Sequence, residues 1–171
     1  TPRSRTTPPA ADAPAVTVLD TGINRAHPLL ESALASDDMH AVHPDWGVQD
    51  DGGGPLMEGH GTQMAGLALH GDLAAVLPSQ GPVHLRHRLE SVKLLPPERF
   101  GVNDPDLYGA VTATAVSRPE TQAPERRRVF SMAVTANDQR DRGQPTSWSA
   151  AIDALAAGRS VDATTQGLTY L

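Results

Sequence analysis

The sequence predicts an α/β domain built on a mainly parallel sheet, and three observations carry that prediction. Short apolar, β-branched runs at 15–20, 83–95 and 128–134 have strand length and strand composition. Segments with helical spacing follow them at 60–69, 105–118 and 148–157. Turn-forming or helix-stopping residues, such as Thr21-Gly22, Pro96-Pro97 and Gly158, close the elements. Strands alternating with helices are the pattern of a parallel sheet with helices on its faces. Right-handed crossovers are expected, and sites form at the carboxyl ends of the strands.

Composition limits the classes of function. The 171 residues suit one domain or most of one. With 14 Lys and Arg against 20 Asp and Glu, the net charge is −6, which argues against a nucleic-acid partner held by phosphate neutralisation. Two Trp, two Tyr and two Phe leave the core to Ala, Val and Leu. The lack of cysteine excludes disulfides, thiolate metal sites and a cysteine nucleophile. No apolar run approaches the ~20 residues that span a bilayer, so no membrane partner is expected.

Element by element, residues 1–14 are rich in Pro, Thr and Ala and read as an extended tail or linker. Ala15-Val16-Thr17-Val18-Leu19-Asp20 reads as a buried strand ending in a turn, which sets Asp20 at a carboxyl end. Residues 36–55, with several Asp and His and the run Gly52-Gly53-Gly54, read as a long surface loop. At 60–69 the spacing of Met64, Leu67 and Ala68 predicts a helix. Gly61 and Gly66 each cost that helix about 1 kcal/mol relative to Ala, so they imply close backbone packing.

Residues 83–95 predict one long or broken strand stopped by Pro96-Pro97. Asp104-Pro105 predicts a helix start, with Asp104 as cap and Pro105 in the first position, running to about Arg118. Residues 128–134 predict a strand and 137–145 a polar loop. Thr146 or Ser147 then caps a helix that ends at Gly158.

Two segments carry chemistry: Val16-Thr17-Val18-Leu19-Asp20-Thr21-Gly22-Ile23 and Gly59-His60-Gly61-Thr62-Gln63-Met64-Ala65-Gly66. A hydroxyl needs a base within hydrogen-bond reach to act as a nucleophile near neutral pH, and imidazole can take and return that proton. A buried carboxylate fixes the imidazole tautomer and stabilises the imidazolium that forms. A strand-end turn would hold Asp20 rigidly, and small residues around His60 would let its helix approach the sheet.

Taken alone, Asp-Thr-Gly is an ordinary turn and a histidine at a helix start an ordinary cap or surface residue. Together and in this order, the two segments closely resemble the Asp and His motifs of subtilisin-like serine peptidases, the subtilases. The continuation Ile23-Asn24-Arg25-Ala26-His27-Pro28-Leu29 is similar to that family as well. The resemblance covers about residues 15–158. It implies a three-layer sandwich, incomplete at its C-terminal side, over residues 15–171. It assigns Asp20 the orienting role and His60 the role of general base and later general acid. The implied substrate is an extended polypeptide.

The resemblance also implies that Ser131, Met132 and Ala133 line the substrate cleft, the backbone of this strand end pairing with the substrate. The nucleophile motif G-T-S-x-[AS]-x-P and the segment carrying the oxyanion-hole Asn do not occur in these 171 residues. The family places its serine roughly 150 residues after the histidine, a longer stretch than the one from His60 to Leu171. Ser147, in Pro145-Thr146-Ser147-Trp148, is expected to be a helix cap and not the nucleophile. The chain therefore reads as the N-terminal part of a catalytic domain, inactive alone, with the remaining part of that domain as a partner. A non-catalytic peptide-binding module is the alternative.

An aspartic peptidase also uses Asp-Thr-Gly, but it needs a second such turn and leaves the His60 segment unexplained. His40 and His43 with Asp37, Asp38 and Asp45 are expected to be solvated loop residues and not metal ligands. Asp50-Asp51 before the glycine run could hold structural calcium, but no ordered ligand pattern supports it and no cofactor is expected. His84 and His87 lie three apart on a strand, hence on opposite faces. The clusters Arg86-His87-Arg88 and Arg126-Arg127-Arg128 are expected to be solvated.

Overall fold

The computed structural model describes residues 6–78, 81–136 and 142–159. Six strands occur among them: β1 (Thr6–Thr7), β2 (Ala15–Asp20), β3 (Leu34–Ala41), β4 (Val83–His84), β5 (Arg88–Lys93) and β6 (Arg128–Ser131). The helices are α1 (His60–His70), α2 (Leu73–Val76), α3 (Tyr108–Gln122) and α4 (Ser147–Ala156). The main sheet is open and wholly parallel, in the order β3-β5-β2-β6. Its architecture is the expected α/β sandwich, a parallel sheet with helices on both faces.

Alternation along β2 separates two apolar layers. Val18 packs with Ala65 and Leu69 of α1 and with Leu30, Leu34 and Leu89. Its neighbour Leu19 points the other way, to Val92, Leu94 and Ala115 and Val116 of α3. On the same face α4 packs against α3, with Leu155 on the Leu19 and Val92 core, and is held by a hydrogen bond from Trp148 Nε1 to Thr112 Oγ1 (3.0 Å) and an edge-on contact of Tyr108 with Trp148.

The crossovers are not uniformly right-handed. Both β3-α1-β5 and β5-α3-β6 step the same way across the sheet, yet their helices lie on opposite faces. Ala15 faces the α3 side with Leu19 and donates to Arg127 O, beside β6. For L-residues this makes β5-α3-β6 right-handed, and β3-α1-β5 is therefore left-handed. The long chain between Ala41 and Arg88 relaxes the steric preference that governs short crossovers.

Several expectations are corrected. The first part of the expected 36–55 loop is strand β3. Its alternation is illegible because the register shifts between Leu34 and Met39, and because one inward residue is a carboxylate, Asp38. The expected free tail is extended but paired, Thr6–Thr7 lying parallel to Val83–His84. The 83–95 strand is broken into β4 and β5, and the 128–134 strand ends at Ser131. Asp104 caps a 3₁₀ turn at Pro105–Leu107, and α3 then runs through Pro119 to Gln122. Thr146 caps α4 through a reciprocal bond with Ser149, leaving Ser147 as the first helical residue. The expected 137–145 loop lies mostly outside the described residues, as do residues 1–5 and 160–171.

Three arginines expected in solvent, Arg88, Arg126 and Arg128, are drawn inward at the amino end of the sheet. Glu90 is fully buried and receives hydrogen bonds from Arg126 (2.7 Å), Arg128 (3.0 Å) and Thr17. Arg126 also binds buried Asp38 at 2.6 Å, and Asp38 meets Arg88 at 3.7 Å. Arg128 donates to the carbonyls of Pro119 and Ala123, closing the C-terminal end of α3. Burial pushes the Glu90 carboxyl up, but its hydrogen bonds to Arg128, Thr17 and Arg126 outweigh that and hold it below the ordinary range.

Glu90→Ala leaves the buried Arg128 guanidinium without its carboxylate, takes one of two carboxylates from Arg126, and is expected to cost about 3–5 kcal/mol in urea unfolding. The Glu90 carboxyl has a lower pKa in the folded than in the unfolded chain. Its contribution is therefore complete above the ordinary glutamate value of 4.5 and fades as pH falls through the folded-state value. Glu90→Gln is accordingly expected to lose less stability between neutral pH and acid than the parent chain.

Candidate active site

Asp20 is the last residue of β2 and His60 the first of α1. His60 Nδ1 lies 2.8 Å from Asp20 Oδ1, which also accepts the Thr21 backbone N–H at 2.8 Å. The carboxylate is 1 % exposed and the imidazole 26 %, so the pair has a dry inner end and an open outer one. With Nδ1 engaged by the carboxylate, Nε2 is the nitrogen that can exchange a proton with a bound group. Asp20 Oδ2 is buried with no hydrogen-bond partner among the described residues.

The contact depends on backbone proximity. A Cβ placed on Gly61 would lie 2.0 Å from Gly22 O, and one on Gly22 would lie 2.3 Å from Gln49 O. Gly22 also has φ of +104°, a conformation open to glycine and few other residues. The turn after β2 is thus pressed between α1 and the 47–52 loop. Gly66, by contrast, has only Leu73 Cδ1 at 3.7 Å from its would-be Cβ, so its expected close packing is not found.

The first turn of α1 is capped from outside the helix. Gly59, its N-cap, supplies no side chain. His60 N–H donates to Met57 O and Gln63 N–H to Gly59 O. Gly61 N–H donates to Thr21 Oγ1, and Thr62 N–H to Asp50 Oδ2, both at 2.8 Å. All four first-turn donors are therefore satisfied, two of them by side chains of other elements. Thr21 and Thr62 belong to the two sequence motifs. Asp50 was visible only as part of an acidic loop and has no periodic or motif signal of its own.

The rest of that loop is fixed by charge. Lys93, at the end of β5 in register with Asp20, is fully buried and binds Asp51 and, at 3.1 Å, Trp46 O. The Asp50 and Asp51 carboxylates are thus engaged by hydroxyls, a backbone amide and an ammonium. Among the described residues no group of three or more His, Asp or Glu is placed to hold a metal ion. His43 Nδ1 accepts from Asp45 N, and His40 lies beside a shallow cavity of about 240 Å³ at the β3 edge, away from Asp20. Burial lowers the His40 pKa. His87 Nε2 meets Ala68 O at 3.0 Å.

Ser131 ends β6, level with Val18, so Met132 and Ala133 follow it toward the Asp20 end of the sheet. Met132 packs partly on the α3-side core, and Ala133 is exposed. β6 is an edge of the main sheet, with Val129 63 % and Phe130 37 % exposed. Ser147 begins α4, in the layer across the sheet from α1, and is not brought to His60.

The two helix glycines should respond in opposite directions. Gly61→Ala is expected to cost about 1–3 kcal/mol through overpacking against Gly22. Gly66→Ala is expected to gain up to about 1 kcal/mol from helix propensity. Urea unfolding of both variants checks the pair.

Comparison with protein families matches residues 11–168 to the subtilase family. Comparison with curated proteins and with solved structures gave no match. The family match spans most of the chain and includes the strand-end carboxylate, the helix-start imidazole and the glycines that bring them together. On that span, the chain belongs to the subtilase family.

Proposed function

We propose that this chain supplies the base-carrying half of a serine endopeptidase, with Asp20 and His60 as two members of an Asp/His/Ser triad. Membership of the family makes the protein a serine peptidase of the subtilisin kind, and the substrate class is polypeptide. The assignment of roles rests on the 2.8 Å contact between Asp20 and His60 at the carboxyl end of the sheet.

In this reading His60 Nε2 accepts the proton of a serine hydroxyl as its oxygen attacks the scissile carbonyl carbon. Asp20 holds Nδ1–H and stabilises the imidazolium while the tetrahedral oxyanion exists. The same proton then passes from Nε2 to the leaving amine, and the C–N bond breaks. Water repeats the sequence on the acyl-enzyme. The hydroxyl and the oxyanion-hole Asn come from outside these 171 residues, because the motifs that carry them do not occur here. Extended substrate adds alongside residues 131–133, beside the open edge of β6. The exposed Val129 and Phe130 are the surface against which the remainder of the catalytic domain packs.

Casein hydrolysis and fluorophosphonate labelling test the reading. The 171-residue chain is expected to do neither, and a form continued through a G-T-S-x-[AS] segment to do both. In that continued form His60→Ala should lower kcat by about 10⁴-fold, the upper range for loss of a general base. Labelling of Ser147 in the 171-residue chain would contradict the assignment. A continued form that binds peptide at the β6 edge without cleaving it would favour a non-catalytic binding module.

A further inference from the structure

The Asp50 carboxylate touches neither Asp20 nor His60, yet it fastens the two segments that carry them. Oδ1 accepts the hydroxyl of Thr21, the residue directly after Asp20. Oδ2 accepts both the N–H and the hydroxyl of Thr62, two residues after His60. Thr21 Oγ1, its proton given to Asp50, accepts from Gly61 N–H at 2.8 Å. Thr62 Oγ1, its proton likewise given to Asp50, accepts from Asn24 N–H at 2.8 Å. Each hydroxyl's direction is thus set by the carboxylate, which accepts only. The turn after β2 is tied to the first turn of α1 on two sides.

We infer that Asp50 is a positioning residue for the Asp20–His60 pair. It acts through three properties. As an anion at the start of α1 it stabilises the helix end and satisfies a first-turn amide that Gly59 has no side chain to cap. As an acceptor of three hydrogen bonds it orients Thr21 and Thr62 so that both can receive backbone N–H groups. As a member of the loop anchored by Lys93–Asp51 and by Gly53 N–H to Pro96 O, it is held from a third direction. Asparagine at this position keeps one acceptor oxygen and adds two donors, so it cannot serve Thr21 and Thr62 in the same sense. Removing the carboxylate leaves Asp20 and His60 in place chemically but frees the α1 start to move relative to the β2 tip. That bond is sensitive to displacements well below 1 Å.

This inference rests on the catalytic reading for its consequence in turnover, but its direct test does not. The low-field proton resonance of His60 Nδ1 is recorded in the 171-residue chain for the parent, Asp50→Ala and Asp50→Asn, with circular dichroism of each as the check on folding. The expected result is loss of the resonance in Asp50→Ala and a shifted or broadened resonance in Asp50→Asn, both with parental circular dichroism. A folded Asp50→Ala chain with the parental resonance overturns the inference. If Asp50→Ala does not fold, Asp50→Asn decides in the same way, an unchanged resonance overturning the role and a changed one supporting it.

In a form continued through the nucleophile segment, Asp50→Ala should lower kcat about 100-fold, as a misplacement near 1 Å does. KM should stay within about twofold, because the Asp50 carboxylate is engaged by Thr21 and Thr62 and not by residues 131–133, and Asp50→Asn should recover part of kcat. A rise in KM with kcat unchanged would contradict the role. Absence of turnover in every continued form, with the resonance responding as expected, would sink the catalytic reading and leave the positioning role standing.

Discussion

A strand tip and a helix start can share a hydrogen bond between their side chains only if their backbones nearly touch. Asp20 and His60 have short side chains that bridge 2.8 Å, and the rest of the fold arranges the approach. Gly61 rests against the Gly22 carbonyl, where no Cβ fits. The small residues of α1 then carry the helix over the sheet, with Ala65 fully buried against Val18 and its neighbours. The left-handed β3-α1-β5 crossover meets the same requirement. Had α1 lain on the α3 side, His60 would face Leu19 and Val92 instead of the Asp20 carboxylate.

The two ends of the sheet use charge for different purposes. At the amino end, Glu90 and Asp38 are buried with Arg126, Arg128 and Arg88 in a network that joins β3, β5, β6 and the end of α3. Such a network contributes little net energy when complete, yet each member is costly to remove singly. At the carboxyl end, charged and hydroxyl groups fix loops and one helix start. Lys93 holds Asp51, and Asp50 holds Thr21 and Thr62. Between them the sheet is mostly apolar, with Val18, Leu19 and Val92 buried and Ser91 the polar exception.

The fold class and the paired motif were legible in the sequence because they rest on local signals. An apolar run ending in Asp-Thr-Gly and a His-Gly-Thr helix start are each contained within eight residues. β3 was hidden because its inward Asp38 is paired with arginines 50 and 88 residues away in sequence, and a register shift breaks its alternation. Arg126 and Arg128 read as solvated for the same reason, since the carboxylates that bury them lie on other strands. Asp50 carried no signal because its partners, Thr21 and Thr62, become neighbours only in three dimensions. Of the two helix glycines, sequence could not distinguish Gly61, which touches a carbonyl, from Gly66, which touches little.

Everything at this site turns on the protonation geometry of one imidazole, and nitrogen-15 shifts of the His60 ring measure it directly. In the neutral ring the proton is expected on Nδ1, bonded to Asp20, with Nε2 bare, and that preference is expected to be lost in Asp20→Ala. A ring carrying its proton on Nε2, or one whose shifts are indifferent to Asp20→Ala, would contradict the pairing.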